Sequence, residues 1–319
     1  MKKGALCISL DFEKYWGVHD LLQPNSSIVT FDNVQTIVNR LLDLFKKYNI
    51  HCTWATIGML NFDNVEALET ATDKINISYL QKNFGPYPIS KHNLGAFNKG
   101  SFLGQAEIEK IKNQNGQELA SHTFSHYYCL EDGQSENDFI IDLHLFEKHV
   151  GEVKSIVFPR NQINQEYLNI CSQHGISAFR GNQENWFWKN SQHKSESFLK
   201  KLSRTADAYL PISNSKGSSW KTLGQLQNNL INIPANRFYR AYKYGKAIEQ
   251  LKLRRIKKEL LKAAKSNRIY HLWWHPHNFL LHPDQNFDQL EQLFKYVDEL
   301  RKNYGFKSLN MNDITQIID

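Results

Sequence analysis

Seven strand-like runs, at residues 5–11, 51–58, 118–122, 155–158, 176–180, 268–274 and 306–309, alternate with helix-like stretches over most of this chain. Such alternation is the pattern of parallel sheets and barrels built from βα units. The stretch NVQTIVNRLLDLFKKYN shows what lies between the runs. Val34, Ile37, Val38, Leu41, Leu42 and Leu44 or Phe45 keep a helical period there, and Asp32 is placed to cap it. At 319 residues the chain fits one large α/β barrel or two ordinary domains. No internal repeat, heptad series or Pro-rich linker marks a boundary, so one domain over residues 1–319 is expected. Two polar stretches rich in Asn, Ser, Gly and aromatics, about 60–104 and 182–232, interrupt the alternation. They read as long loops that decorate the scaffold and shape a cleft.

A parallel barrel presents its working side chains at the C-terminal ends of its strands. Four motifs fall at such ends. Ser9-Leu10-Asp11-Phe12-Glu13 places two carboxylates two positions apart. Ser121-His122-Thr123-Phe124-Ser125-His126 carries two histidines four apart, which share one face and reach one metal ion if the chain turns helical there. Val157-Phe158-Pro159-Arg160-Asn161 offers a guanidinium able to grip a carboxylate bidentately and keep it ionised. His271-Leu272-Trp273-Trp274-His275-Pro276-His277 makes a poor core strand, because buried imidazole nitrogens need partners. Each motif alone also has a plain reading: a solvated strand end, two exposed histidines, a surface ion pair, a satisfied histidine cluster. Their coincidence at the ends of separate strands is what argues for one site gathered from distant sequence.

Composition narrows the class. Hydrophobic residues make up 41% and charged residues 22%, which excludes disordered and fibrous chains. Cys7, Cys52, Cys129 and Cys171 have no CxxC spacing and read as small buried hydrophobes in a reducing compartment. The N-terminal MKKGALCISLDFE is broken by Ser9 and Asp11 before an export signal could form, and no run of about 18 apolar residues follows. A soluble, cytoplasmic protein is expected. The net charge is +7, yet residues 237–268 hold twelve Lys and Arg against Glu249 and Glu259, so that segment carries +10 and the remainder −3. This basic segment is either a solvated helix face or a surface that meets anionic lipid or phosphate at the inner membrane face. No nucleic-acid-binding module accompanies it, and nucleic acid is not an expected partner.

Taken in order from Asp11 to Asn278, SLDFE, SHTFSH, FPRNQ and LWWHPHNF resemble the motifs of the polysaccharide deacetylase family, also called the NodB-homology or carbohydrate esterase family 4 fold. The resemblance implies a distorted (β/α)7, TIM-like barrel holding one divalent metal ion through Glu13, His122 and His126. It implies Asp11 as general base, His275 as general acid, Arg160 as support for the base, and backbone N–H groups near Asn161 for the oxyanion. Asn161, Trp186, Trp274 and His277 are the candidate substrate contacts, with Trp188 an alternative to Trp186 at the acetyl pocket. Two nitrogens and an oxygen suit zinc, with cobalt or nickel as alternatives. Two departures matter. The family's adjacent aspartates are here Asp-x-Glu, which leaves the roles of Asp11 and Glu13 exchangeable; and Pro159 precedes Arg160 where the family has Arg before Pro, which makes Arg180 a rival for the same role. The expected activity is removal of an N-acetyl group from an amino sugar, in a polysaccharide or a lipid-linked glycan precursor of surface polysaccharide biosynthesis. The alternatives are a deformylase or other C–N amide hydrolase of the same fold, and a catalytically silent carbohydrate- or membrane-binding protein.

Overall fold

A computed structural model describes residues 2–21, 31–92, 94, 98–183, 185–188, 198–210, 212–213 and 215–318. Ten strands join in one sheet: β1 (Ala5–Phe12), β2 (Cys52–Thr56), β3 (Gln117–Ser121), β4 (Ser155–Ile156), β5 (Ala178–Phe179), β6 (Leu226–Gln227), β7 (Leu230–Asn232), β8 (Arg237–Phe238), β9 (Ile269–Trp274) and β10 (Lys307–Leu309). Their order is β6-β7-β5-β4-β3-β2-β1-β9-β8, with β10 against the first half of β1, and β6–β7 is the antiparallel pair. All eight residues of β1 are buried, as an apolar strand covered on both faces requires.

The sheet curls into a barrel. β5 stands four places from β1, so a flat sheet would separate them by roughly 19 Å. Instead Arg180, just after β5, reaches Asp11 on β1 at 2.6 Å. Closure comes from the segment 230–238: Ile231 and Asn232 pair with β5, and Arg237 and Phe238 pair with β9. Pro234 lies between, where the chain changes partner and needs no ladder donor. Counted with this segment as one strand, the wall has seven parallel strands.

The helices are α1 (Val34–Lys47), α2 (Val65–Thr72), α3 (Gln105–Asn113), α4 (Glu136–Val150), α5 (Tyr167–Gln173), α6 (Phe198–Tyr209), α7 (Trp220–Leu223), α8 (Lys246–Lys265), α9 (Pro283–Tyr304) and α10 (Met311–Ile318). The α1 period holds, with Val34, Ile37, Val38, Leu41, Leu42 and Phe45 buried. Its expected cap does not. Asn33 takes the N-cap position without a side-chain bond, while Asp32 accepts from the Ser101 hydroxyl in the 60–104 insertion. That insertion is pinned to the end of β1 by Lys14, whose buried ammonium donates to Glu107 at 2.6 Å and to the Leu103 and Gly100 carbonyls. The stretch 182–232 is not all loop: it contains α6, α7 and β7, the last a part of the barrel wall. Strands of two or three residues are too short to show a period.

The basic segment is also partly internal. Arg237 and Arg255 are buried against Asp207 and Glu259, and Lys252 against Glu249. Three of its twelve cations therefore serve packing, not an outer face.

Candidate active site

The C-terminal ends of β1, β3, β5 and β9 face one another across the mouth of the barrel, and six of the singled-out side chains meet there. Asp11, inside β1, receives both ends of the Arg180 guanidinium, Nη1 at 2.6 Å and Nη2 at 2.8 Å. Burial alone would raise its pKa; the Arg180 guanidinium outweighs burial and holds the carboxyl below its ordinary value. Both terminal nitrogens of Arg180 are held further, while its buried Nε has no partner among the described residues. Nη1 also donates to Ser9 Oγ, Nη2 to Asn161 Oδ1, and the group stacks 4.3 Å from the Trp273 ring.

The guanidinium on Asp11 was expected from Arg160, with Arg180 as its rival, and this is corrected to Arg180. Arg160 lies in a tight turn after β4 with left-handed backbone at both Arg160 and Asn161, φ 52° and 55°. That turn aims its side chain away from Asp11, to the buried carboxylate of Asp20 2.6 Å away and over the Tyr128 ring. The chain there connects back to the site indirectly: the Tyr128 hydroxyl donates to Asp20 and lies 3.2 Å from His126 Nδ1. The same turn consumes the N–H groups of Asn161, Gln162 and Ile163, which donate to the carbonyls of Phe158, Pro159 and Asn161. Those three N–H groups are therefore engaged within the turn.

Glu13 sits one residue past β1, buried, and is the hub of the histidines. His122 Nε2 and His126 Nε2 lie 3.4 and 3.3 Å from its Oε2, and His275 Nε2 lies 3.4 Å from its Oε1. His122 Nδ1 faces the Val157 carbonyl at 2.8 Å and must donate to it, which leaves the Nε2 lone pair turned toward Glu13. His126 follows the same logic through Tyr128, and burial pushes its pKa down to about 4, so its imidazole is neutral near pH 7. Two lone pairs and a carboxylate oxygen, all acceptors, converge within 4.8 Å. Acceptors facing one another repel unless a cation lies among them, so this donor set fits a divalent ion of borderline softness. The histidine segment itself is not the expected helix. It is an irregular turn with left-handed Thr123 and His126, φ 61° and 60°, and it still brings both rings within 5.2 Å of each other.

His275 directly follows β9, partly open to solvent, with Nε2 3.7 Å from Asp11 Oδ2. The Asn278 amide, 3.4 Å from Nδ1, favours the tautomer whose proton is on Nε2, facing the carboxylates. His277 stacks beside it at 5.1 Å and against Phe31, and burial lowers its pKa to about 4. His271 lies within the strand and is buried. Its Nδ1 donates to the Ile233 carbonyl and its Nε2 accepts from Ser9, which in turn accepts from Arg180. Trp274, expected at the substrate, is wholly buried among Tyr239 and Phe279, because alternate strand residues face opposite sides. Its neighbour Trp273 faces the mouth, against Arg180, Phe238 and His275. Trp186 is 56% exposed, and Trp188 packs on Trp273. Asp20, Tyr128 and the Ser9–His271 pair were missed; the polar Ser9 inside an otherwise apolar run was the available signal.

The family model for polysaccharide deacetylase matches residues 22–179, a stretch that includes His122, His126 and Arg160 and stops one residue before Arg180. No curated protein matches the chain. Among solved structures it is similar to a Mycobacterium smegmatis protein assigned to the polysaccharide deacetylases, at 12% identity over 99% of this chain and 90% of that one, TM-score 0.57. It is also similar to 4-alpha-glucanotransferase from Thermococcus litoralis (8%, 99% and 40%, TM-score 0.51) and to the alpha-amylase AmyC from Thermotoga maritima (12%, 99% and 75%, TM-score 0.50). At such identities the likeness shows the fold, the distorted (β/α)7 barrel. The sequence match carries the rest, and by it this chain belongs to the polysaccharide deacetylase family.

Proposed function

We propose that the chain is a metal-dependent hydrolase that removes an N-acetyl group from an amino sugar of a glycan. The observation that supports this most is the convergence of Glu13, His122 and His126 beside an arginine-clamped Asp11 and a solvent-reachable His275. A divalent ion held by those three side chains, zinc by preference, would supply Lewis acidity toward the amide carbonyl and acidify water. Asp11, kept ionised by Arg180, is placed to take the proton of the attacking water. In its imidazolium form His275 directs the Nε2 proton toward the same space and is placed to give it to the departing amine, returning to the neutral ring. Trp273 and the partly open His275 side bound the mouth through which the sugar enters.

The test is metal content and acetate release together. Purified protein is expected to hold one equivalent of a transition metal, lost in His122→Ala and His126→Ala, and to release acetate from N-acetylated oligosaccharides. Metal retained in both variants would refute the ligand set. Asp11→Asn is expected to abolish turnover with metal still bound, whereas Glu13→Gln loses metal; the opposite outcome exchanges the two roles.

For the substrate's setting we favour a glycan built on a lipid carrier at the cytoplasmic membrane face. No helix among the described residues is long and apolar enough to cross a membrane. Exposed Ile248 and Leu251 on α8 stand among Lys246 and Arg254, a mixture suited to an anionic bilayer surface. Replacing Arg254, Lys257 and Lys258 with Gln is expected to lower sedimentation with anionic vesicles; unchanged sedimentation would remove this placement.

A further inference from the structure

A groove of 280 Å³ leaves the mouth beside His275 and runs between α6 and the segment leading into α8. Tyr209, Phe238, Arg240, Lys243, Tyr244 and Asn278 line it. It adjoins the candidate site at two points. The Phe238 ring meets the His275 ring edge-on at 5.9 Å, and Asn278 lies 3.4 Å from His275 Nδ1. Farther out, Tyr209 and Tyr244 stack edge-on at 5.5 Å, and the Lys243 ammonium sits 5.6 Å over the Tyr244 ring. Among the described residues two cations line the groove, and no carboxylate does.

Arg240 is the informative residue. Arg237, three positions earlier, and Arg255 on α8 both pair with Asp207 and Glu259. Arg240 is half-buried over the Phe238 ring, 5.7 Å away, and has no carboxylate within ion-pair distance among the described residues. Burial lowers its pKa and outweighs the opposite pull of Tyr209, Tyr244 and the more distant Asp207 carboxylate. A partly desolvated guanidinium without a carboxylate at ion-pair distance is unfavourable by itself, and an anion beside it removes the penalty. A guanidinium fork with an ammonium and aromatic walls matches a phosphate, which takes both charges, better than a single carboxylate.

We propose that this groove binds a phosphate ester next to the acetylated sugar, so that the substrate of this site is a phosphorylated glycan or glycan carrier. The inference rests on the deacetylase reading for which sugar lies at His275, but the groove can be tested separately. Affinities of the metal-loaded protein for N-acetylglucosamine 1-phosphate and for methyl N-acetylglucosaminide are measured by calorimetry. The phosphorylated sugar should be preferred, and the preference should fall about tenfold in Arg240→Gln. It should fall also in the exposed Lys243→Gln, which guards against a folding defect, and not in Lys265→Gln at the far end of α8. If the phosphate belongs to a lipid headgroup instead, the soluble sugars will bind alike, and Arg240→Gln and Lys243→Gln will weaken sedimentation with phosphatidylglycerol vesicles. No preference together with no vesicle effect overturns the proposal. Acetate release is followed in parallel: its absence counts against the hydrolase reading, while the affinity ratio still decides the groove.

Discussion

Gly17 limits what can stand at the candidate metal site. A Cβ there would fall 2.2 Å from Glu13 Cδ and 2.3 Å from Oε1, so the residue is glycine to make room for a carboxylate, not for its own backbone. Gly17→Ala is expected to push Glu13 off His122 and His126 and to cut bound metal by about tenfold or more with the circular dichroism unchanged; full metal content in that variant would refute the placement. The two arginines should separate by readout. Arg180→Ala removes the cation that clamps Asp11 and should lower turnover by about 10²-fold with metal retained. Arg160→Ala acts through Asp20 and Tyr128 on the far nitrogen of His126, and should weaken metal binding by about 10- to 100-fold. Metal affinity untouched in Arg160→Ala would leave that relay without a role. Asp11, Glu13, His122, His126 and His275 were legible as candidates because each follows closely on a strand-like run. Which arginine reaches Asp11 was not, since that depends on the curl of the sheet and on a left-handed turn at Arg160 that no pattern announces. The choice of Trp273 over Trp274 depends likewise on strand phase.

At the scale of elements, the turn that carries the two histidines is held by a neighbour instead of by its own helical bonds. Asp142 of α4 accepts the N–H groups of Phe124 at 2.5 Å and Ser125 at 3.0 Å, together with the Ser125 hydroxyl. Thr123 Oγ adds a bond from the Tyr127 N–H at 2.7 Å. These contacts do the work of the i→i−4 bonds that a helix would have supplied, and they let Thr123 and His126 adopt positive φ. Asp142→Ala leaves two buried N–H groups unpaired and should destabilise the fold by about 2–4 kcal/mol in urea titrations. It should also loosen metal binding; a variant as stable as the parent and fully metallated would show that the turn holds itself. The sequence carried a trace of this arrangement in the acid at a buried position of α4, within DFIIDLHLF. Long elements such as α1 and β1 could be read from their periods. β4 and β5, two residues each, could only be placed by the runs around them, and β7 was lost inside a polar stretch because its barrel partners lie far away in sequence.

Closing the barrel buries histidines that the unfolded chain leaves in water, and this couples the whole molecule to pH. His271 is enclosed between Ser9 and the Ile233 carbonyl, and burial first, then Arg180, lowers its pKa to about 3. His92 is buried between the Tyr15 hydroxyl and the Pro86 carbonyl, and burial lowers its pKa to about 4. Unfolded, both titrate near 6.5. Above that value neither state holds the proton and the full stability is present. As pH falls through about 6.5 the unfolded chain takes up protons that the folded chain refuses, so stability falls by about 1.4 kcal/mol per pH unit for each histidine. For His92 the loss runs until the folded pKa of about 4 is reached, and for His271 until about 3. His92 is the cleaner probe, because it lies in the 60–104 insertion and not on the Arg180 relay. His92→Gln should cost stability at pH 7.5 by removing a buried hydrogen-bond pair. At pH 5 the mutant no longer faces the proton penalty, so the gap to the parent should close by about 2 kcal/mol. The measurement is the difference in urea unfolding free energy between the two proteins at pH 7.5 and pH 5. A gap that stays constant would mean that His92 is not held neutral, and that the acid lability of the fold comes from elsewhere.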